Sequence, residues 1–255
     1  MKKLIAAVLA LTTMLLCCAC GKKTESALAY VQEKGTLIVG VTDYEPMDYK
    51  DANGDWTGFD AEFARAVAEK LGVEARFVEI DWDNKFFELE SRSIDCIWNG
   101  MTITDEVRLN ASVSDPYVKN AQVMVTTQEN AGNDSVELAK SLSFAAEAGS
   151  AGEAAAKELG FDCTAVQSQS AALMEVAAGT ADACIIDITM ADAMTGAGTG
   201  YPDLVIAMEL SSEEYGIGFR KDSDLTAKVN EIMASLMADG TLDALARKYG
   251  LTLVK

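Results

Sequence analysis

The chain has 255 residues, 49% of them hydrophobic, so it can form one large or two medium domains with a real core and is not a disordered polymer. Its 40 acidic and 21 basic residues give a net charge of −19, which makes nucleic acid a poor partner because that binding depends on basic groups. The sequence contains no histidine, which excludes Ser-His-Asp triads and histidine-containing zinc sites.

The N-terminal region has the pattern of a secretory signal. Two lysines precede an apolar run over residues 4–16, which is too short to span a membrane comfortably. The run leads into LLCCACGKKT, which resembles the signal of a bacterial lipoprotein lipidated at Cys20. The alternative is an ordinary cleaved signal peptide. We expect a signal peptide over 1–19, lipidation of Cys20 and a lipid-anchored tether over 20–27.

After the tether, strand and helix patterns alternate. The β-branched run TLIVGV (36–41) predicts a buried strand, and apolar residues recur every four positions in GFDAEFARAVAEKLG (58–72), which predicts an amphipathic helix. A strand over 73–80, a helix in NKFFELES (84–91) and a strand over 94–98 follow. This β-α-β-α-β order predicts a parallel sheet with helices on both faces.

A second α/β unit of similar size begins at AQVMVTT (121–127). Its further predicted strands cover 142–147, 163–166 and 181–186, with helices near 134–140, from 150, over 169–178 and from 188. Strands over 204–208 and 215–219 and helices over 223–238 and 241–249 close the chain.

Two such units predict two lobes, residues 28–124 plus 210–255 and residues 125–209. Crossing segments near Val123–Thr127 and Ala207–Leu210 would join them. A cleft between two lobes is the default ligand site, and hinge closure is its default motion.

Seven segments resemble, in order and spacing, the amino-acid-binding family of bacterial extracellular solute-binding proteins (family 3), the receptors of ABC importers. They are GFDAEFARAVAEKLG, DWDNKFFELESRSIDCIWNGMTIT, SDPY, AGSAGE, TADACIID, SSEEYGIGFRKDSD and MADGTLDALARKYG. The resemblance implies an α/β, two-lobed periplasmic-binding-protein-like fold of type II, with mainly parallel sheets and two hinges. It also implies closure on a free amino acid, held by an aromatic ring, hydroxyls and an arginine for the α-carboxylate, and an aspartate for the ammonium.

The resemblance places a first group of site candidates in lobe one. Tyr44 matches the aromatic residue that covers the ligand, and the alternative is a tyrosine in a surface loop. Trp82 matches a wall of the pocket, and the alternative is a tryptophan packed under a helix. Thr102 matches a ligand-binding hydroxyl at the end of a strand, where open α/β sheets bind ligands, whereas Thr104 is explained as a helix cap. The lobe-one candidates are Asp43, Tyr44, Trp82, Asn99, Gly100, Met101 and Thr102.

A second group lies in lobe two. Ser150 begins a helix whose free N–H groups favour a carboxylate, although it could serve as an N-cap alone. Asp187 follows the buried strand ACII at the position of the ammonium-binding carboxylate, with an N-cap as the alternative. The lobe-two candidates are Glu147, Gly149, Ser150, Ala151 and Asp187.

The sequence departs from the family pattern at its arginine. Val107 occupies the expected position, and Arg108 comes one residue later, which turns a helical side chain by about 100°. Three interpretations stay open: an amino acid held mainly by amides, a ligand without an α-carboxylate, or an arginine from elsewhere, such as Arg92.

The sequence therefore predicts a monomeric receptor, lipid-anchored on the extracellular face of the cell membrane or located in the periplasm. It would pass a small polar amino acid or amine-bearing solute to an ABC permease and its ATPase. We expect no enzyme activity, cofactor or metal. The alternatives are a cyclohexadienyl-dehydratase-like enzyme with Glu147 or Asp187 as its general acid, and a solute sensor without transport.

Overall fold

A computed structural model describes residues 26–255. The predicted signal peptide, Cys20 and most of the tether lie outside the described residues. Helix α1 (Ala27–Lys34), which was not predicted, begins at the last tether residue, and the Ser26 side chain caps it by accepting from the N–H of Ala29 at 3.0 Å. No helix within residues 26–255 is both long and apolar enough to cross a membrane.

Each predicted strand and helix has a counterpart in the predicted order, and residues 26–255 contain in addition helix α1 and four strands of two or three residues that were not predicted. The strands are β1 (Thr36–Val41), β2 (Tyr49–Lys50), β3 (Trp56–Thr57), β4 (Glu74–Glu79), β5 (Cys96–Thr102), β6 (Ser112–Val113), β7 (Val118–Asn120), β8 (Gln122–Thr127), β9 (Ser143–Glu147), β10 (Asp162–Val166), β11 (Ala183–Asp187), β12 (Leu204–Glu209) and β13 (Glu213–Phe219). The further helices are α2 (Phe59–Leu71), α3 (Lys85–Glu90), α4 (Asp105–Asn110), α5 (Val136–Ala139), α6 (Ala151–Leu159), α7 (Gln169–Ala178), α8 (Ile188–Met194), α9 (Asp224–Ala238) and α10 (Thr241–Tyr249).

The first sheet has the strand order β4-β1-β5-β13-β6, with β7 also paired to β13. Strands β4, β1 and β5 are parallel, whereas β13 runs antiparallel to them. Helix α2 packs on this sheet through the apolar residues that recur every four positions, and the ring of Phe63 meets that of Trp98 edge-on at 4.8 Å. Burial of a phenylalanine side chain contributes about 1.5 to 3 kcal/mol to the free energy of unfolding.

The second sheet has the strand order β10-β9-β11-β8-β12. Strands β10, β9 and β11 are parallel, and β8 and β12 are antiparallel to their neighbours. Its smaller core includes the rings of Phe144 and Phe161, which stack at a centroid distance of 4.4 Å. Two α/β units with separate sheets are therefore present, as the sequence predicts.

The chain passes between the two sheets twice, and the first passage differs from the prediction. It lies at Ala121, between β7 of the first sheet and β8 of the second, and not within Val123–Thr127, because that segment pairs with β11 and β12. The return passage covers residues 210–212, which overlaps the predicted Ala207–Leu210 only at Leu210.

Strand β5 also differs from its predicted bounds. It was expected to end at Trp98 but continues to Thr102, and every one of its residues is buried. Strand β1 pairs only with Cys96 and Ile97, whereas β13 pairs with β5 as far as Thr102, and the N–H of Gly100 donates to the Asp60 carboxylate at 2.7 Å. The small polar residues Asn99, Gly100 and Thr102 thus belong to the strand itself, at its carboxyl end.

Candidate functional site

A cavity lies between the carboxyl ends of the two sheets, and nine of the twelve predicted site residues line it. The lining residues are Tyr44, Trp82, Asn99, Gly100, Thr102, Gln122, Glu147, Ser150, Ala151, Gly152, Gln169 and Asp187. Its volume is about 20 Å³, which is room for about one water molecule. A solute larger than water can enter only if the two sides of the cavity separate.

The lobe-one wall is built on the end of β5. Gly100 has a φ of 56°, and a Cβ there would lie 2.6 Å from Cε1 of Tyr44, so glycine lets the tyrosine ring cover the strand. The Asn99 side chain faces inward, where its Oδ1 accepts from the hydroxyl of Thr42 at 2.6 Å and its Nδ2 donates to Asp48 at 2.9 Å. Asn99 thus fixes the wall and has little side-chain donor capacity left for a solute.

Tyr44 and Thr102 both have protein partners. The Tyr44 hydroxyl is hydrogen-bonded to Thr189 and Tyr215, which joins lobe one to α8 of the second unit. Burial, followed by the charge of Asp187, holds the pKa of the Tyr44 hydroxyl well above its usual range. The Thr102 hydroxyl donates to Oε2 of Glu213 at 3.0 Å.

Asp187 is the best-supported polar group of the cavity. It is 4% exposed, and its carboxylate accepts from the side-chain amides of Asn120, Gln122 (2.6 Å) and Gln169. Burial raises its pKa to about 6, while these amide donors act in the opposite direction. The side chain caps no helix N–H, so the interpretation of Asp187 as an N-cap alone is wrong.

Glu147, at the end of β9, is 3% exposed and lines the same cavity. Its Oε1 has no hydrogen-bond partner within residues 26–255. Burial, followed by the charge of Asp187, raises the pKa of Glu147 to about 8, and Lys85 partly offsets this. A buried carboxylate with an unsatisfied oxygen needs a donor, and a cation is the donor it favours most.

Ser150 is the N-cap of α6, as the alternative interpretation proposed. Its hydroxyl oxygen accepts from the N–H of Glu153 at 3.1 Å, and the Glu153 carboxylate accepts from the N–H of Gly149 at 2.7 Å. A carboxylate of the protein therefore already occupies the positive end of this helix. Thr104 similarly caps α4, accepting from the N–H of Val107 at 3.1 Å, as expected.

Three predicted residues do not line the cavity. Asp43 is exposed, and only its backbone carbonyl reaches the second unit, where it accepts from the Ser170 hydroxyl at 3.2 Å. Met101 points to the other face of β5 and packs in a core cluster with Leu89. Gly149 lies beside the cavity, where a Cβ would meet Oδ1 of Asp83 at 2.8 Å.

The cavity contains no arginine. Val107 is 5% exposed and packs in the core cluster around Trp82 and Leu89. Arg108 is exposed and lines a separate groove, and Arg92 lies over the Tyr30 ring at 5.6 Å, so the idea that Arg92 serves the cavity is wrong.

Sequence reasoning missed several polar side chains of the site. Gln122 lies directly opposite Asp187 in the pairing of β8 with β11, a cross-strand position that only the register reveals. Lys85 is 5% exposed and donates to the carbonyls of Trp82 (3.2 Å) and Gly149 (2.8 Å), the latter across the interface. The isolated lysine at the start of the helix pattern in NKFFELES was the available signal for it.

No group of three or more cysteine, aspartate or glutamate side chains that could hold a metal ion occurs in the part of the chain that the structure describes.

Comparison with protein families identifies the chain. The sequence model of the family "Bacterial extracellular solute-binding proteins, family 3" matches residues 37–252. The chain belongs to this family. The match covers both sheets, so the type II binding-protein fold inferred from sequence is confirmed.

Individual relatives agree with this assignment. The arginine-binding extracellular protein ArtP of Bacillus subtilis is 31% identical over 223 residues, covering 85% of this chain and 86% of its own length. A crystal structure of a mutant of ArgBP from T. maritima superposes with a TM-score of 0.82 at 33% identity, covering 88% of this chain and 98% of that one. The structure of the ancestral amino acid-binding protein AncCDT-1, a precursor of cyclohexadienyl dehydratase, gives a TM-score of 0.80 at 33% identity and covers 88% of this chain and 99% of that one.

Proposed function

We propose that this family member is the substrate-binding component of an ABC importer and captures an amino acid or related amine-bearing solute in the cavity between its two sheets. The observation that supports this most is the pair of buried carboxylates, Glu147 and Asp187, in one cavity lined from both sides. A ligand ammonium or guanidinium would give each carboxylate a charge-assisted hydrogen bond, worth about 1.5 to 3 kcal/mol.

Within that proposal the lining residues have distinct roles. Asp187 receives the ammonium, since its three amide partners hold the carboxylate in place. Tyr44 and Trp82 cover the rest of the solute, because aromatic faces contact both methylene groups and cations. The backbone of Asn99 and Gly100, with Thr102, forms the lobe-one floor, and Ser150 and Ala151 form the opposite side.

Ligand exchange requires the two lobes to separate, and the contacts between them suggest how. The lobes, predicted as residues 28–124 plus 210–255 and 125–209, would rotate about the passages at Ala121 and 210–212. Opening would break the bonds from Tyr44 to Thr189 and from Lys85 to the Gly149 carbonyl. Closure around a solute would be the hinge motion typical of two-lobed binding proteins.

We further propose that Cys20 anchors a monomeric protein to the outer face of the membrane, where the permease and ATPase act on the delivered solute. Mass spectrometry of the mature N-terminus would find a lipidated Cys20. An unmodified N-terminus elsewhere would contradict the anchor. A permease and an ATPase encoded beside this protein would favour transport over a sensor without transport.

The dehydratase alternative has less support. Glu147, with its pKa raised to about 8, could supply a general acid, and AncCDT-1 shares the fold. However, no lysine or arginine is among the residues that line the cavity, and prephenate or arogenate would bring carboxylates to it. Turnover of either compound by the purified protein would establish the enzyme function.

Calorimetry against the twenty amino acids and a set of common amines tests the binding proposal. We expect at least one dissociation constant well below about 1 mM. Absence of any binding below that level would contradict it. The Asp187→Asn variant should abolish the signal, whereas Asp203→Asn, at an exposed aspartate of the second unit, should bind as the parent protein does.

A further inference from the structure

The charges of the cavity identify what kind of solute it fits. Of its lining side chains, those that can ionise are Tyr44, Glu147 and Asp187, and all of them are neutral or negative. Glu213 lies just behind, accepting from Gln122 at 3.0 Å and from Thr102 at 3.0 Å. The cavity wall therefore offers negative charge and no positive side chain.

The unsatisfied oxygen of Glu147 is the second observation. This side chain is 3% exposed, and its Oε1 has no hydrogen-bond partner within the described chain. Asp187, by contrast, already has three amide donors. The structure thus leaves one buried acceptor for a donor from a bound solute.

The cations nearest the cavity are held elsewhere. Lys85 donates to two backbone carbonyls and is stacked at 5.0 Å over the Trp82 ring. Arg108 is exposed in a separate groove, and Arg92 lies over Tyr30. Val107 occupies the position where the family resemblance implies an arginine, and it is enclosed by core residues of lobe one.

The remaining positive feature is the N-terminus of α6, and the protein uses part of it internally. Ser150 accepts the N–H of Glu153, and the Glu153 carboxylate accepts the N–H of Gly149 at 2.7 Å. A ligand carboxylate placed here would lie beside the carboxylates of Glu153 and Asp187, and also beside that of Glu147 once it ionises. Like charges brought together in a buried site repel strongly.

We propose that the ligand is a small organic cation without a carboxylate, such as an amine or guanidine, whose cationic group is bound by Glu147 together with Asp187. This inference rests on the proposed binding function and narrows it. It explains why the cavity has two buried carboxylates, one of them unsatisfied, and why no arginine faces them.

Calorimetry with matched pairs that differ only in the carboxylate tests the proposal on the purified full chain in detergent. The pairs are arginine and agmatine, lysine and cadaverine, ornithine and putrescine, and histidine and histamine. We expect at least one amine to bind ten times or more as tightly as its amino acid. Equal or tighter binding of the amino acid in every pair that binds would overturn the inference and leave the proposed function intact. If no member of any pair binds at 1 mM, the inference fails, and the proposed function fails as well only if the panel of twenty amino acids and common amines also shows no binding.

The Glu147→Gln variant separates a ligand contact from a structural role. It should weaken binding of the amine about 10- to 100-fold and should weaken binding of the paired amino acid much less, because the repulsion of its carboxylate is relieved. The control Glu90→Gln, at an exposed residue of α3, should leave both affinities unchanged. An equal loss for both members of the pair would contradict recognition of the cation by Glu147.

Discussion

Two buried carboxylates line the same cavity, yet their surroundings differ. Asp187 ends β11 and accepts from three side-chain amides, whereas Oε1 of Glu147, at the end of β9, has no partner in residues 26–255. The pKa is raised to about 6 for Asp187 and to about 8 for Glu147, mainly by burial in both cases. In the proposed binding site, Asp187 is therefore held in place by the protein, whereas Glu147 has an oxygen that a bound solute could reach. Substitutions at the two positions should therefore have opposite effects on stability.

Replacement of Asp187 should have the largest effect. Asp187→Ala leaves the amides of Asn120, Gln122 and Gln169 without their acceptor, so we expect a loss of about 2 to 4 kcal/mol in the free energy of unfolding. Binding should fall at least 100-fold. Urea unfolding and calorimetry measure the two effects, with Asp203→Asn as the control. Unchanged stability would show that the amide cluster does not depend on this carboxylate.

Replacement of Glu147 should change stability in the other direction. Glu147→Gln removes a buried charge, so the ligand-free variant should be more stable than the parent at pH 9 by about 1 to 3 kcal/mol. The pKa of this carboxyl group is higher in the folded state than in the unfolded state. Ionisation therefore costs more in the folded protein, and this cost grows as the pH rises from the unfolded-state pKa to the folded-state pKa. The gain should therefore shrink at pH 6, where the Glu147 carboxyl is itself neutral. A variant that is less stable at both pH values would contradict this account.

Binding of a cation should depend on pH through the same group. The groups that act on the Glu147 carboxyl are Asp187, Lys85 and Asp81, and burial outweighs them all. Because a cation binds the ionised form, its affinity should rise on the order of tenfold between pH 6.5 and 8.5, with release of a proton near pH 7. Calorimetry of agmatine in buffers with different ionisation heats measures both. An affinity that falls over this range would exclude ionised Glu147 as a ligand contact.

The smallest of these effects should come from Lys85. Its ammonium donates to the Gly149 carbonyl across the interface between the units, so Lys85→Met removes a bond that is present in the closed form. We expect a three- to tenfold weaker affinity, mostly through faster dissociation. Stopped-flow fluorescence of Trp82 can follow this rate. Lys140→Met, which removes an exposed lysine paired with Glu137, is the control and should not change it.

The fold could be predicted from local patterns because most helices and strands carry a clear period. The α7 and α10 ranges were predicted residue for residue, and α2 within one residue at each end. The errors arose where tertiary pairing decides. Strand β5 continues through polar residues because β13 pairs with it as far as Thr102, and β8 begins at Gln122 because it pairs in the second sheet. Neither pairing is visible in a short window of sequence.

The candidate site was predictable only in part. Nine residues come together because they lie at the carboxyl ends of neighbouring strands or at helix N-termini, which a pattern can locate. Side-chain direction was harder, since Met101 alternates to the opposite face of the strand that presents Gly100 and Thr102. The amide partners of Asp187 come from segments distant in sequence, so only the assembled fold reveals them.

A crystal structure of the protein with its tightest-binding amine tests the central claim most directly. The account predicts a cationic nitrogen within hydrogen-bond distance of both Asp187 and Oε1 of Glu147, between the Tyr44 ring and the N-terminus of α6. A ligand bound outside this cavity, or one whose cation contacts neither carboxylate, would contradict it.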